Sequence, residues 1–169
     1  PGNYKGDGTI QMSWVEPNAV KRLEIIQEAK TVAIVGVSSN RARSSYFVAS
    51  YLKGGGYYKV YFVNPMIDQL FGDQVYASLA DLPEVPDIVD VFRKSSETPA
   101  VLDEAIALGV KTIWLQLGVS NDEVASRGTA AGLNVVMNKC LKIEHARFHG
   151  GLHLAGFNTG VISSRRAAL

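Results

Sequence analysis

Thr31-Val32-Ala33-Ile34-Val35-Gly36-Val37-Ser38-Ser39-Asn40 decides the fold. An apolar run stops at a glycine, turns through two hydroxyls and enters a segment that reads as a helix. A strand covered on both faces has this continuous apolar character. Where such a strand hands over to a helix, backbone N–H groups at the helix start favour an anion. The turn carries one glycine and not G-x-G-x-x-G, which argues against an ordinary dinucleotide site.

Working outward, further apolar strands are predicted over 57–63, 87–92, 111–117 and 133–137, with the first over 31–37. Helices alternate with them. One starts near Pro17, carries Val20, Leu23, Ile26 and Ala29 at helical spacing, and runs to about Lys30. A second is capped by Ser44 or Ser45, runs through Lys53 and ends at Gly54-Gly55-Gly56. A third spans 95–108, with Pro99 in its first turn and Gly109 after its end. A fourth opens on the capping box Ser120-Asn121-Asp122-Glu123 and stops at Gly132. Residues 71–76 read as loop, and 78–82 as a short helical turn. This alternation predicts an α/β fold, a Rossmann-like open parallel sheet of about five strands with helices on both faces. The expected organisation is a flexible N-terminal arm over 1–16, one domain over 17–148 and a C-terminal extension over 149–169.

Composition narrows the function classes. With 47% hydrophobic and 20% charged residues among 169, the chain buries a full core and is not disordered. A net charge of +1 gives no bulk electrostatic case for nucleic acid or an anionic membrane. No apolar segment approaches the ~18 residues of a membrane span. The N-terminal residues lack the apolar core of a secretory signal. A single cysteine, Cys140, excludes an internal disulfide and suits a reducing compartment, so a cytoplasmic location is expected.

In sheets of this class ligands bind beyond the carboxyl ends of the strands. Those ends carry Gly36, Ser38 and Ser39 with Arg41, Arg43 and Ser44 just after, then Asn64-Pro65, Phe92-Arg93-Lys94, Leu117-Gly118 and Asn138-Lys139-Cys140. Hydroxyls, helix-start amides and guanidinium groups together suit a pyrophosphate. An NAD site needs an acid at the end of the second strand, where Asn64 stands instead. Asp87 and Asp90 read as structural, paired with backbone or a base. Cys140 and His145 lack a third residue to orient them as a nucleophilic pair. His145, His149 and His153 recur every four residues, but Gly150-Gly151 interrupts the helix that would align them on a metal. No catalytic or metal residues are therefore assigned.

Several runs resemble one family. They are Val32 to Ser39, Ser45 to Leu52, Val63-Asn64-Pro65, Gly72 to Leu79, Asp87 to Arg93, Trp114 to Gly118 and Val135 to Glu144. In order and spacing they resemble the small standalone CoA-binding proteins with a Rossmann-like domain. That family is related to the CoA-binding domain of the succinyl-CoA synthetase alpha subunit. The resemblance covers roughly residues 17 to 148. It implies coenzyme A as cofactor, with Gly36, Ser38, Ser39 and Arg43 or Ser44 meeting phosphate. Asn64-Pro65 would flank the nucleotide, and Phe92-Arg93 would contact its far side. The chain departs from the family pattern at Arg41 and Ser44, where proline is common.

Three readings follow. The first is a module that binds CoA or an acyl-CoA without chemistry of its own. The second is a CoA-dependent ligase or transferase subunit acting with a partner chain, and the third is an NAD(P)-binding oxidoreductase. The expected partner is the small-molecule ligand, with a protein partner or a homo-oligomer left open.

Overall fold

Thr31–Val35 is buried along its whole length, and the sheet is built outward from it. A computed structural model describes residues 2–4 and 10–151. In chain order the elements are β1 (Gly2–Tyr4), β2 (Ile10–Met12), α1 (Ala19–Glu28), β3 (Thr31–Val35), α2 (Ser44–Gly55), β4 (Lys59–Val63) and β5 (Gln69–Leu70). They continue as β6 (Asp73–Tyr76), β7 (Ile88–Val91), α3 (Thr98–Leu108), β8 (Thr112–Leu115), α4 (Asp122–Ala130), β9 (Asn134–Val136) and α5 (Leu141–Ala146). A π-helical turn, Arg147–Gly151, follows α5.

Among the described residues one sheet runs β5-β6-β4-β3-β7-β8-β9. Every pairing in it is parallel except β5 with β6. The chain leaves β3 on one side to build β4 and β6, and on the other to build β7 to β9. The carboxyl end of β3 is therefore the point where strand order reverses, the preferred place for a ligand in an open parallel sheet.

Strand alternation sorts β3 between two cores. Val32 and Ile34 pack with Ile25 and Ile26 of α1, Val48 and Leu52 of α2, and Leu141 of α5. Ala33 and Val35 pack with Val101 and Leu102 of α3 and Val124 and Ala125 of α4. Helices thus cover both faces, as the α/β reading expects.

Several local expectations are corrected. The sheet has more strands than the expected five, because Asp73–Tyr76 is a strand and not loop. Phe71 (φ 52°) and Gly72 (φ 80°) make the two-residue turn that folds β5 onto β6. Such a turn needs positive φ at both positions, and phenylalanine does not advertise it. Pro17 precedes α1, and Asn18 caps it by accepting the Lys21 amide at 2.9 Å. Val20 faces solvent. Neither Ser44 nor Ser45 caps α2, since Arg43 holds that position without a side-chain bond. Asn121, not Ser120, caps α4, accepting the Val124 amide at 3.0 Å.

Of the expected arm, β1 and β2 pair antiparallel, Trp14 donates its indole N–H to the Val135 carbonyl at 2.9 Å, and Glu16 pairs with Lys139 at 3.2 Å. The expected extension lies outside the described residues beyond Gly151, His153 included. Among the described residues no helix is long and apolar enough to cross a membrane.

Candidate functional site

The site begins where β3 ends. The Gly36 amide donates to the Val63 carbonyl at 2.9 Å, and the Phe92 amide to the Val35 carbonyl at 2.8 Å. The turn is thus pinned to both neighbouring strands. Gly36 sits at φ +84°, and a Cβ there would press into the Phe92 carbonyl oxygen. Beyond it, hydroxyls and an amide satisfy the loop from within. Ser45 Oγ accepts the Ser38 amide at 3.0 Å, Ser38 Oγ accepts the Asn40 amide at 3.0 Å, and Asn40 Oδ1 accepts the Ala42 amide at 2.9 Å. The Ser44 and Ser45 amides open α2, where first-turn N–H groups lack intrahelical acceptors.

Over this turn lies a cavity of about 820 Å³. Its walls come from Gly36 and Ser38, from Arg43 to Ser45 and Phe47-Val48 around the start of α2, and from Phe92-Arg93-Lys94 after β7. Gln116, Leu117 and Val119 follow β8, and Cys140, Lys142 and Ile143 follow β9. Arg43, Arg93, Lys94 and Lys142 bring four cations to this wall and no carboxylate joins them. Arg93 forms an ion pair with Glu97 at 3.6 Å, and the Lys142 ammonium lies 5.9 Å from the centre of the Tyr51 ring. Phe47, Leu117 and Ile143 are at least half exposed on the same wall, so the cavity is basic and apolar together. An opening of this size and mixed lining suits a ligand of drug-like size carrying negative charge.

Of the residues singled out from sequence, the cavity gathers Gly36, Ser38, Arg43, Ser44, Phe92 and Arg93. Ser39, Arg41 and Pro65 are exposed outside its wall. Asn64 acts as a strut: its Nδ2 donates to the Val37 carbonyl at 2.7 Å, and its Oδ1 accepts the Met66 amide at 2.8 Å. Lys53, another cation near the turn in sequence, pairs with Asp73 instead. Phe47, Lys142 and Ile143 were missed. No sequence signal marks them, because their arrival depends on how α2 and α5 pack over the strand ends.

The segment carrying Cys140 and Lys142 is held on three sides. The Trp114 indole donates to the Lys139 carbonyl at 2.8 Å, and the Leu141 amide donates to Gln116 Oε1 at 3.0 Å. From α1, Arg22 Nε donates to the buried Glu144 carboxylate at 2.6 Å. His145 is fully buried, shares a 2.9 Å hydrogen bond between Nδ1 and the Tyr51 hydroxyl, and stacks on His149 at 4.1 Å. Burial, with the neighbouring His149 adding to it, lowers its pKa to about 4, so it is neutral near pH 7.

Asp87 accepts the Lys30 and Thr31 amides, as a structural aspartate does. Asp90 departs from expectation. It is fully buried on β7 between Ile34 and Trp114, and neither carboxyl oxygen has a partner. Burial raises its pKa well above the usual carboxylate range.

The sequence profile of the CoA binding domain family matches residues 30–146. The chain is 34% identical over 130 residues to the uncharacterized protein YneT of Bacillus subtilis, covering 77% of this chain and 96% of YneT. It is 33% identical over 89 residues to an ADP-forming acetate–CoA ligase of Methanocaldococcus jannaschii. That match covers 53% of this chain and 12% of the ligase. Among solved structures, a hypothetical protein from Pyrococcus horikoshii superposes with a TM-score of 0.76 at 34% identity, covering 82% of this chain and all of that one.

Proposed function

Since this chain belongs to the CoA binding domain family, we propose that it binds coenzyme A or an acyl-CoA in the cavity above Gly36. One observation carries the proposal: four cations and no carboxylate line a cavity at the point where strand order reverses. CoA carries a pyrophosphate and a further phosphate on its ribose, and guanidinium groups match phosphate geometry with paired donors. In this reading Gly36 lets the ligand approach the backbone, and Ser38, Arg43 and Ser44 meet the pyrophosphate. Ser39 and Arg41 stand beside it on the outer loop. Asn64-Pro65 flank the nucleotide by fixing the turn, and Phe92-Arg93 contact the ligand from the β7 side. The proposal assigns this chain binding without a chemical step of its own. The match to part of an acetate–CoA ligase favours a second reading, a CoA-holding subunit that works with a partner chain. With Asn64 where a ribose-binding acid would stand, the NAD(P) reading has the weaker support.

CoA at about a hundredfold over its Kd should add about 2.7 kcal/mol of stability. For a domain of this size that raises the melting temperature by roughly 5 to 10 °C. NADH should leave it unchanged in the same differential scanning experiment. A shift with NADH and none with CoA would reverse the assignment.

Arg43→Ala should weaken CoA binding about tenfold by calorimetric titration, the loss of one charge-assisted phosphate contact. Cys140→Ala should weaken it less. Equal losses would show that the phosphates lie elsewhere in the cavity.

A further inference from the structure

We propose that the cavity selects an acyl-CoA carrying an apolar acyl group over free coenzyme A. This rests on the CoA reading and names the class of ligand within it.

The wall divides by chemistry along the sheet. Gly36, Ser38 and Arg43 to Ser45 stand beyond the end of β3, where that reading puts the pyrophosphate. From β3 the sheet continues through β7 and β8 to β9. Neighbouring strands lie about 4.8 Å apart, so these steps carry the cavity roughly 14 Å from its phosphate end. Arg93 and Lys94 follow β7, at the first step. Farther along, Leu117 and Val119 follow β8, and Ile143 stands on α5 after β9. Phe47 joins the same wall from α2.

Phe47, Leu117 and Ile143 are 53%, 65% and 50% exposed. A single exposed apolar residue is ordinary on a protein surface. These come instead from a helix, a turn and a second helix, and they converge on one cavity. Their supports are fixed to each other. The Tyr51 hydroxyl and His145 Nδ1, 2.9 Å apart, tie α2 to α5. The Gly118 amide donates to Asn138 Oδ1 at 2.7 Å, and the Leu141 amide to Gln116 Oε1 at 3.0 Å, which ties the turn after β8 to the segment after β9. The apolar part of the wall is therefore built before any ligand arrives.

Free CoA covers this surface poorly. Its arm carries amides, which lose hydrogen bonds to water when laid against phenylalanine, leucine and isoleucine, and it ends in a small thiol. An apolar acyl chain on that thiol takes the same side chains out of water without that cost, and each methylene it buries adds to binding. Lys142 is the cation beside Ile143. Its ammonium lies 5.9 Å from the centre of the Tyr51 ring, a contact with which an acyl group ending in a carboxylate has to compete.

The test is calorimetric titration of the full chain with CoA and with acetyl-, butyryl-, hexanoyl-, octanoyl- and succinyl-CoA. Affinity should rise about threefold for each methylene added from butyryl to octanoyl. Succinyl-CoA, with as many acyl carbons as butyryl-CoA, should bind about tenfold more weakly than it. Phe47→Ser combined with Ile143→Ser should flatten the series. The reading is the ratio of octanoyl-CoA to CoA affinity within each protein, so a loss shared by both ligands cancels. Met66→Ser, at a residue 83% exposed and outside the cavity wall, should keep the wild-type ratio. A flat series in the wild type, succinyl-CoA bound more tightly than butyryl-CoA, or a series as steep in the double variant as in the wild type overturns the acyl selection. The CoA reading then stands on the binding of CoA itself. If neither CoA nor any acyl-CoA binds, both fall.

Discussion

Gly36→Ala should lose about 3 kcal/mol of stability, together with CoA binding. Two effects add. Alanine at φ +84° pays roughly 1–2 kcal/mol for a left-handed backbone. Its Cβ also presses into the Phe92 carbonyl oxygen, a backbone atom of the next strand that cannot swing aside like a side chain. Gly118→Ala is the control. It too sits at positive φ, +86°, but nothing lies near its missing Cβ, so only the backbone part of about 1–2 kcal/mol applies. Chemical denaturation of the two variants measures the difference. Equal midpoints would mean that β3 and β7 do not close on Gly36 as described. The cavity floor would then be wider than the proposed phosphate site requires.

Arg22→Met should be as damaging, by about 3 kcal/mol or more. Glu144 is almost wholly buried, and Arg22 Nε is its close partner at 2.6 Å. Arg147 approaches it at 3.4 Å from a half-exposed position. Removing Arg22 strands a buried carboxylate, which is far worse than never having built the pair. Arg22→Met combined with Glu144→Met should therefore recover most of the loss, since both charges are then gone. A double-mutant cycle by urea denaturation reads this directly. A double variant no more stable than Arg22→Met would show that the pair is not a buried charge problem. Because Glu144 lies on α5 beside Lys142 and Ile143, Arg22→Met should also loosen one wall of the cavity and weaken CoA binding.

Much of this arrangement was legible in the chain. The apolar run at 32–35 read as a strand covered on both faces, which it is, and the glycine after it marked the turn over which the cavity opens. Gly109 and Gly132 marked helix ends at 108 and 130 through their left-handed backbones. The strand ends named Gly36, Ser38, Arg43, Ser44, Phe92 and Arg93 before any packing was known. What stayed hidden depended on contacts between distant segments. Phe71-Gly72 turns β5 onto β6 with a residue that seldom adopts positive φ. Lys142 and Phe47 reach the cavity only because α5 and α2 lean over the same strand ends. Asp90 looked like any strand aspartate with a backbone partner nearby, and only the packed sheet shows that it has none.

The two flanks of the sheet are finished differently. On β9, Asn134 bonds inward to Lys111, so the Val135 carbonyl turns outward, and it is there that the Trp14 indole donates. At the far side β6 is shadowed by a strand of two residues. Among the described residues neither flank offers a long row of free amides to which a foreign strand could zip. The parallel core therefore meets its surroundings at both margins through short, partly engaged edges, and the cavity opens at right angles to them, beyond the strand ends.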